Sequence, residues 1–257
     1  MIFIKNPVQI QKMRDAGKVL YEVLQRIVSQ VKPGITTKEL DIFAENLIRK
    51  ANAIPSFLGY MGFPASICTS INQQVVHGIP SHDVVLNEGD IISIDCGVIL
   101  DGWQSDSAIT VGVGKISAEA EKLIKVTEEC FFAGVRQAVL GKRLGDLGEA
   151  IQNHAEKNGF YVIKNYTGHG IGKDMHEEPS VYNYRTNRRG IRFMKNMTLA
   201  VEPMIAIGTS ETKVLNDEWT VETTDGSLCS HYEHTILIND GLPELLSYPG
   251  FTWKEDA

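Results

Sequence analysis

Between Ile91 and Gly114 the chain reads IISIDCGVILDGWQSDSAITVGVG, two β-rich runs separated by Asp101-Gly102. An Asp-Gly pair between apolar, β-branched runs is a strong signal for a two-residue hairpin turn. Such a turn fixes the register: Leu100 faces Trp103, Gly97 faces Asp106, and Asp95 faces Ala108. Side chains alternate along a strand and opposed residues share a face, so Asp95 and Asp106 lie diagonally on one face. Diagonal neighbours stand roughly 7–8 Å apart at the backbone and closer at their tips. Two carboxylates so placed are either solvated on an outer face or share a cation. The Ile- and Val-rich strands around them favour the cation.

The second half of the chain supplies further donors. His169 sits in Gly168-His169-Gly170-Ile171-Gly172, where glycine lets backbone approach closely. The spacing is not GxGxxG, which argues against a dinucleotide loop. Glu202 falls in the apolar run Thr198–Ile207, and Glu233 in Leu228–Ile238. One such acid alone would read as exposed or ion-paired. Four of them at apolar strand positions, without matching strand lysines or arginines, read differently. Unpaired buried carboxylates are too costly unless they are neutralised or coordinate metal.

Four carboxylates and an imidazole form an oxygen-rich donor set. It suits Mn²⁺, Fe²⁺ or Co²⁺, admits Zn²⁺, and is too large for one tetrahedral ion. Two divalent ions bridged by carboxylates match the count. Such a pair, roughly 3.5–4 Å apart, activates a water and polarises a carbonyl or phosphoryl group. The chemistry implied is hydrolysis of an amide or a phosphate ester. A net charge of −7 and the lack of a basic phosphate cradle favour the amide. The same balance argues against nucleic acid as substrate and against an anionic membrane as partner.

The rest of the chain frames these donors. Asn6-Pro7 starts a helix whose apolar face runs to Pro33-Gly34. A second helix starts near Thr36-Thr37. A loop rich in aromatics and glycine, Asn52 to Pro64, precedes a strand over Ser66–Ile71. Ser117 caps a helix expected to reach Leu140, and another covers Leu144–Asn158. Residues 173–192 read as irregular, and a strand is expected around Trp219–Thr223. The run Leu86–Asp95 echoes Phe193–Glu202, each a turn and then a β-rich run ending in an acid, and each following two helices. Two related halves would each give an acid-bearing strand to a shared centre. With no linker or low-complexity stretch, residues 1–257 read as one domain of α+β class. Cys68, Cys96, Cys130 and Cys229 show no CxxC spacing, so neither a thiolate zinc site nor a disulfide framework is expected. No run is long enough to span a membrane and no leader is evident, so a cytoplasmic protein is expected.

The segments IDCGVILDGWQSD, TGHGIG, HEEP, AVEP and YEHT, with the opening NPVQIQKMRDAG, resemble the type I methionine aminopeptidases in their short bacterial form. The likeness extends over nearly the whole chain in order. It implies the pita-bread fold, with two pseudo-symmetric halves and a central antiparallel sheet backed by helices. It implies an enzyme that removes the N-terminal methionine of nascent proteins and peptides, with a preference for a small second residue. A monomer in transient contact with the ribosome is expected, and Ile2 implies that Met1 is retained. By the resemblance Asp95, Asp106, His169, Glu202 and Glu233 are the metal ligands, with Asp106 and Glu233 bridging. Glu202 would also carry the proton from the attacking water to the leaving nitrogen. His176 would stabilise the tetrahedral oxygen and His77 would hold the scissile amide. His82 and His154 read as surface or packing residues, His234 as structural, and His231 as an edge of the site.

A methionine pocket needs soft, apolar walls. Tyr60, Phe63, Cys68, Met175 and Trp219 stand at the family's pocket positions, and Phe57 where other members carry Cys. Met175 replaces a common aromatic, Phe63 a tyrosine, and Gly97 a threonine near the substrate amine. Trp219 raises a conflict. If Asp225-Gly226 forms a two-residue turn, Trp219 pairs with Tyr232 and faces away from Glu233. The nearest rival is a proline-specific peptidase on the same fold, which usually carries a large N-terminal domain. A non-catalytic binding protein and an unrelated phosphoesterase are weaker readings.

Overall fold

The computed structural model describes residues 1–254. Its first helix, α1 (Pro7–Val28), opens with a capping box: the Asn6 side chain accepts from the Gln9 N–H, and the Gln9 side chain accepts from the Asn6 N–H. Helix α2 (Thr37–Lys50) opens the same way on Thr36 and Glu39. Each such cap contributes about 1 kcal/mol by satisfying donors that the first turn leaves free. α1 stops at Val28, short of the expected Pro33-Gly34, because Gln30 and Val31 bond back only three residues to Ile27 and Val28. Helix α3 (Ala118–Val135), capped by Ser117, also ends before the expected Leu140, as Gln137 and Ala138 close three-residue turns. Helix α4 spans Leu144–Lys157.

The Asp-Gly hairpin forms in the expected register, from Leu100 opposite Trp103 through Gly97 opposite Asp106 to Asp95 opposite Ala108. It sits inside a nine-stranded antiparallel sheet among the described residues. The path across that sheet runs Ile54–Pro55, Ile91–Leu100, Trp103–Gly112, Glu233–Leu237, Thr198–Val201, Gly168–Gly170 and Glu177–Val181. The last of these corrects the reading of 173–192 as wholly irregular, since Glu177–Val181 pairs with Gly168–Gly170.

Two long strands expected from the sequence are each broken in two. Thr198–Val201 stays in the central sheet, and Met204–Ala206 leaves for a three-stranded sheet with Cys229–His231 and Tyr161–Val162. The break falls at Glu202-Pro203, where proline has no N–H to continue the ladder. Leu228–Ile238 is also broken, at Tyr232, whose N–H donates to the Pro203 carbonyl: Cys229–His231 pairs outside, and Glu233–Leu237 pairs inside. Both acids therefore lie where a strand passes from one sheet to another. The pairing of Trp219 with Tyr232 that a two-residue turn at Asp225-Gly226 would impose does not occur. Val221–Thr223 pairs instead with Thr212–Val214 and Gln74–Val76, in a third sheet.

The echo between the halves has a structural counterpart. Thr36, before α2, bridges Val85, and Arg143, before α4, bridges Arg192. Each bridge ties a helix start to the run that leads into an acid-bearing strand. The halves also have separate cores on the helix-covered side. α1 and α2 bury Leu20, Ile27, Leu40 and Ile48 against Ile92 and Ile94. α3 and α4 bury Leu123, Phe131, Leu147 and Ile151 against Leu199, Ile205 and Ile236. Full burial of each such side chain is worth roughly 1.5–3 kcal/mol.

Candidate metal centre and pocket

Strand register alone gathers most of the donors. Ala108 lies opposite Asp95 on one side and Glu233 on the other. Those three residues form one row on a common face. Asp106, two residues along, heads the next row, locked to Glu233–Leu237 by Thr235: its Oγ1 accepts the Asp106 N–H at 3.0 Å and donates to the Asp106 carbonyl at 2.9 Å. Across the sheet His169 lies opposite Ala200, with Glu202 two residues beyond. That repeats the diagonal of Asp95 and Asp106 across the other half. Gly97, Ala108 and Ala200 stand between these donors, and Phe57, Met175 and Ser56 pack close over Gly97.

His169 Nε2 is 3.6 Å from Glu202 Oε1 and 4.0 Å from Asp106 Oδ2. Asp106, His169 and Glu233 each offer a donor atom within 4.8 Å of the others, and so do Glu202, His231 and Glu233. His169 Nδ1 donates to the Gly170 carbonyl at 2.9 Å, which leaves the Nε2 lone pair facing the carboxylates. His231 Nε2 lies 3.7 Å from Glu233, so His231 edges the site as its strand parity implied. His234 turns to the other face, where it contacts Ser107, Ser247 and the Tyr232 hydroxyl.

The electrostatics demand a cation. Asp106 is 5% exposed and Glu233 2%. Burial pushes the Asp95 carboxyl up to about 7. Asp106, Glu202 and Glu233 are raised well above the ordinary carboxylate range, first by burial and then by repulsion from one another and Asp95. Burial also lowers the imidazoles of His77 and His169 to about 4 and of His231 to about 3, so none supplies a neutralising charge at pH 7. Asp95 Oδ1, Asp106 Oδ1 and Glu233 Oε1 are buried without any hydrogen-bond partner. Orphaned carboxylate oxygens converging from three strands fit a bound divalent ion.

The donors form the floor of a cavity of about 170 Å³. Phe57, Tyr60, Phe63, Cys68, Met175 and Trp219 line it, together with His77 and His176. All thirteen residues singled out in the sequence thus meet in one space. Trp219 reaches it from a turn in which its N–H donates to Asp217, and packs edge-on to Phe63 at 5.1 Å. His77 takes a left-handed φ of 60°, a conformation costly for a non-glycine residue, and meets Tyr166 and Trp219 edge-on. The His176 ring lies tilted against His169, with ring centres 4.3 Å apart, and its Nδ1 meets the Tyr60 hydroxyl at 2.8 Å. Sequence reading missed Met61 on the wall and Tyr166 against His77.

Residues 11–240 match metallopeptidase family M24. A methionine aminopeptidase of Clostridium acetobutylicum is 55% identical over 247 residues, which cover 96% of this chain and 99% of that protein. The crystal structure of methionine aminopeptidase from Rickettsia prowazekii superposes with a TM-score of 0.94 at 44% identity, covering 96% of this chain and all of that one (100%). An Xaa-Pro dipeptidase from Bacillus anthracis shares the fold at a TM-score of 0.77 and 21% identity, but this chain covers only 61% of its length.

Proposed function

The chain belongs to metallopeptidase family M24, among its methionine aminopeptidases, and from that premise we propose how its site removes an N-terminal methionine. Asp95, Asp106, His169, Glu202 and Glu233 would hold two divalent ions. Mn²⁺, Fe²⁺ and Co²⁺ suit this donor set best. The observation that carries this reading is the set of orphaned buried carboxylate oxygens beside an apolar pocket. When bound, the ions supply a nucleophilic water at neutral pH and polarise the scissile carbonyl.

The protein's own groups do the rest. The methionine side chain enters between Phe57, Phe63, Cys68, Met175 and Trp219, where aromatic faces and sulfur suit a thioether. Glu202, the acid at the strand break, accepts the proton of the attacking water and passes it to the leaving nitrogen. His176 donates from Nε2 to the developing oxyanion. For that its Nδ1 must accept, so the Tyr60 hydroxyl donates to it. His77, held neutral by burial, orients the scissile amide. Residues 1–257 act as one catalytic domain, as a monomer in the cytoplasm in transient contact with the ribosome. A small second residue is preferred, in keeping with the sequence resemblance.

The test is methionine release from Met-Ala-Ser by chelated enzyme, with Mn²⁺, Fe²⁺, Co²⁺ or Zn²⁺ restored singly and stoichiometry read by calorimetry. Restoration by at least one ion, with two ions bound, is the expected result. Failure to release methionine with every ion, or faster cleavage of X-Pro peptides, would overturn it. A series from Met-Gly to Met-Leu tests the second-residue preference.

A further inference from the structure

Lys5 is 4% exposed, a rare place for a lysine. Its ammonium lies 2.5 Å from Glu177 Oε2 and donates to the Phe3 carbonyl at 3.1 Å. Its backbone N–H is anchored as well, on the Asn196 carbonyl. The other Glu177 oxygen, Oε1, accepts the Lys173 N–H at 2.9 Å. The pair therefore grips the start of the 172–177 loop as well as its end.

Gly172 shows how closely the loop rides on the pair. A Cβ there would come within 2.6 Å of Lys5 Cε and would also strike the Glu177 carboxylate. The Gly172 carbonyl, in turn, accepts the Gln104 N–H at 2.8 Å, tying the loop to the hairpin that carries Asp106. Between those anchors lie Met175 and His176, both lining the cavity. A buried ion pair is a poor device for stability, since an apolar pair of similar size is often as good or better. Its grip on both ends of a short loop serves geometry instead.

We propose that Lys5 and Glu177 are positioning residues that lock the 172–177 loop, so that Met175 and His176 meet the substrate in register with the metal centre. The proposal rests on the role given above to His176. It links the N-terminal segment, which does not line the cavity, to the chemistry through two charged groups.

Lys5→Met and the apolar pair Lys5→Met/Glu177→Leu test it. Metal content, kcat and KM on Met-Ala-Ser, thermal stability, and amide exchange over 172–177 in metal-free protein would be measured. Lys5→Met should lower kcat by about tenfold to a hundredfold, the range expected when a catalytic group is slightly misplaced. Metal content should be unchanged and exchange at Lys173 faster. The apolar pair should recover wild-type thermal stability without recovering kcat or protection, because leucine cannot accept the Lys173 N–H. Should Lys5→Met fail to fold, the apolar pair supplies the same measurements. The proposal is overturned if kcat returns together with stability in the apolar pair, or if exchange over the loop is that of wild type in both variants. Should the wild-type enzyme release no methionine, the functional reading falls, and the exchange experiment still decides whether the lock exists.

Discussion

Gly97→Ala adds one methyl group to the pocket floor, and the structure sets how much room it has. The new Cβ would lie 2.8 Å from Phe57 Cε1, 2.9 Å from Met175 Cε and 2.9 Å from Ser56 Cβ. The Met175 methyl ends a flexible chain and can swing away. The Phe57 ring is rigid and buried. Ser56 is pinned, with its N–H on the Gly97 carbonyl at 3.0 Å and its hydroxyl on Gln104 at 2.6 Å. Two of the three neighbours therefore cannot yield locally. Overpacking of this kind costs about 1–3 kcal/mol. The lost backbone freedom of glycine in the unfolded chain returns only about 0.4–1 kcal/mol. The clash wins, and a net loss of roughly 1–2 kcal/mol lowers Tm by about 2–8 °C. Because Phe57 and Met175 also wall the pocket, KM for Met-Ala-Ser should rise about tenfold, equivalent to ~1.4 kcal/mol of lost binding. Calorimetry and steady-state kinetics check both numbers. Gly97→Ala/Phe57→Val should recover much of the stability by reopening the space. An unchanged or raised Tm with an unchanged KM would show that the floor is looser than the contacts imply, and the reasoning would fail.

Three further outcomes are expected. Glu202→Ala should abolish turnover in metal-replete protein, whereas His77→Ala should lower it by about 10²–10⁴; near-normal kinetics for the glutamate variant would remove it from the proton-transfer role. Tyr60→Phe should lower kcat by roughly twofold to tenfold, the worth of one neutral hydrogen bond, through loss of the donor that fixes the His176 tautomer; an unaltered kcat would show that Tyr60 does not set it. In metal-free protein Asp95 titrates at about 7 against 3.8 when unperturbed, so between those values the folded state binds the extra proton. Stability from this group therefore rises as pH falls through 7; Asp106, Glu202 and Glu233, raised by the same burial, add to the slope, so Asp95→Asn should lessen but not abolish it in thermal melts at pH 8 and pH 6; equal slopes in the two proteins would exclude burial at Asp95 as a contributor.

The hairpin was legible because its signal is local. Asp101-Gly102 fixes the turn, and the period-two alternation then fixes which side chains share a face. The helix starts at Asn6 and Thr36 were equally plain, since a capping box needs only residues three apart. The chemistry of the site was legible in another way: acids at apolar strand positions without matching cations have few physical outcomes. Helix ends were less so, because the switch to three-residue turns after Val28 and Val135 depends on what the chain packs against next.

What only the tertiary structure decided is where long strands change partners. Sequence shows Glu202 and Glu233 within apolar runs, but each run is broken next to its acid, one half pairing inside the central sheet and the other outside it. Trp219 shows the same limit, since the sequence left its face open, and it reaches the pocket from the turn before Val221–Thr223, which pairs in a third sheet. The Lys5 pair shows it most clearly, with partners 172 residues apart joined beneath one loop. Periodicity and turn chemistry determine faces and donors over a few residues. Which faces meet is settled by burying both half-cores against one sheet, and that condition is written in no single stretch of the chain.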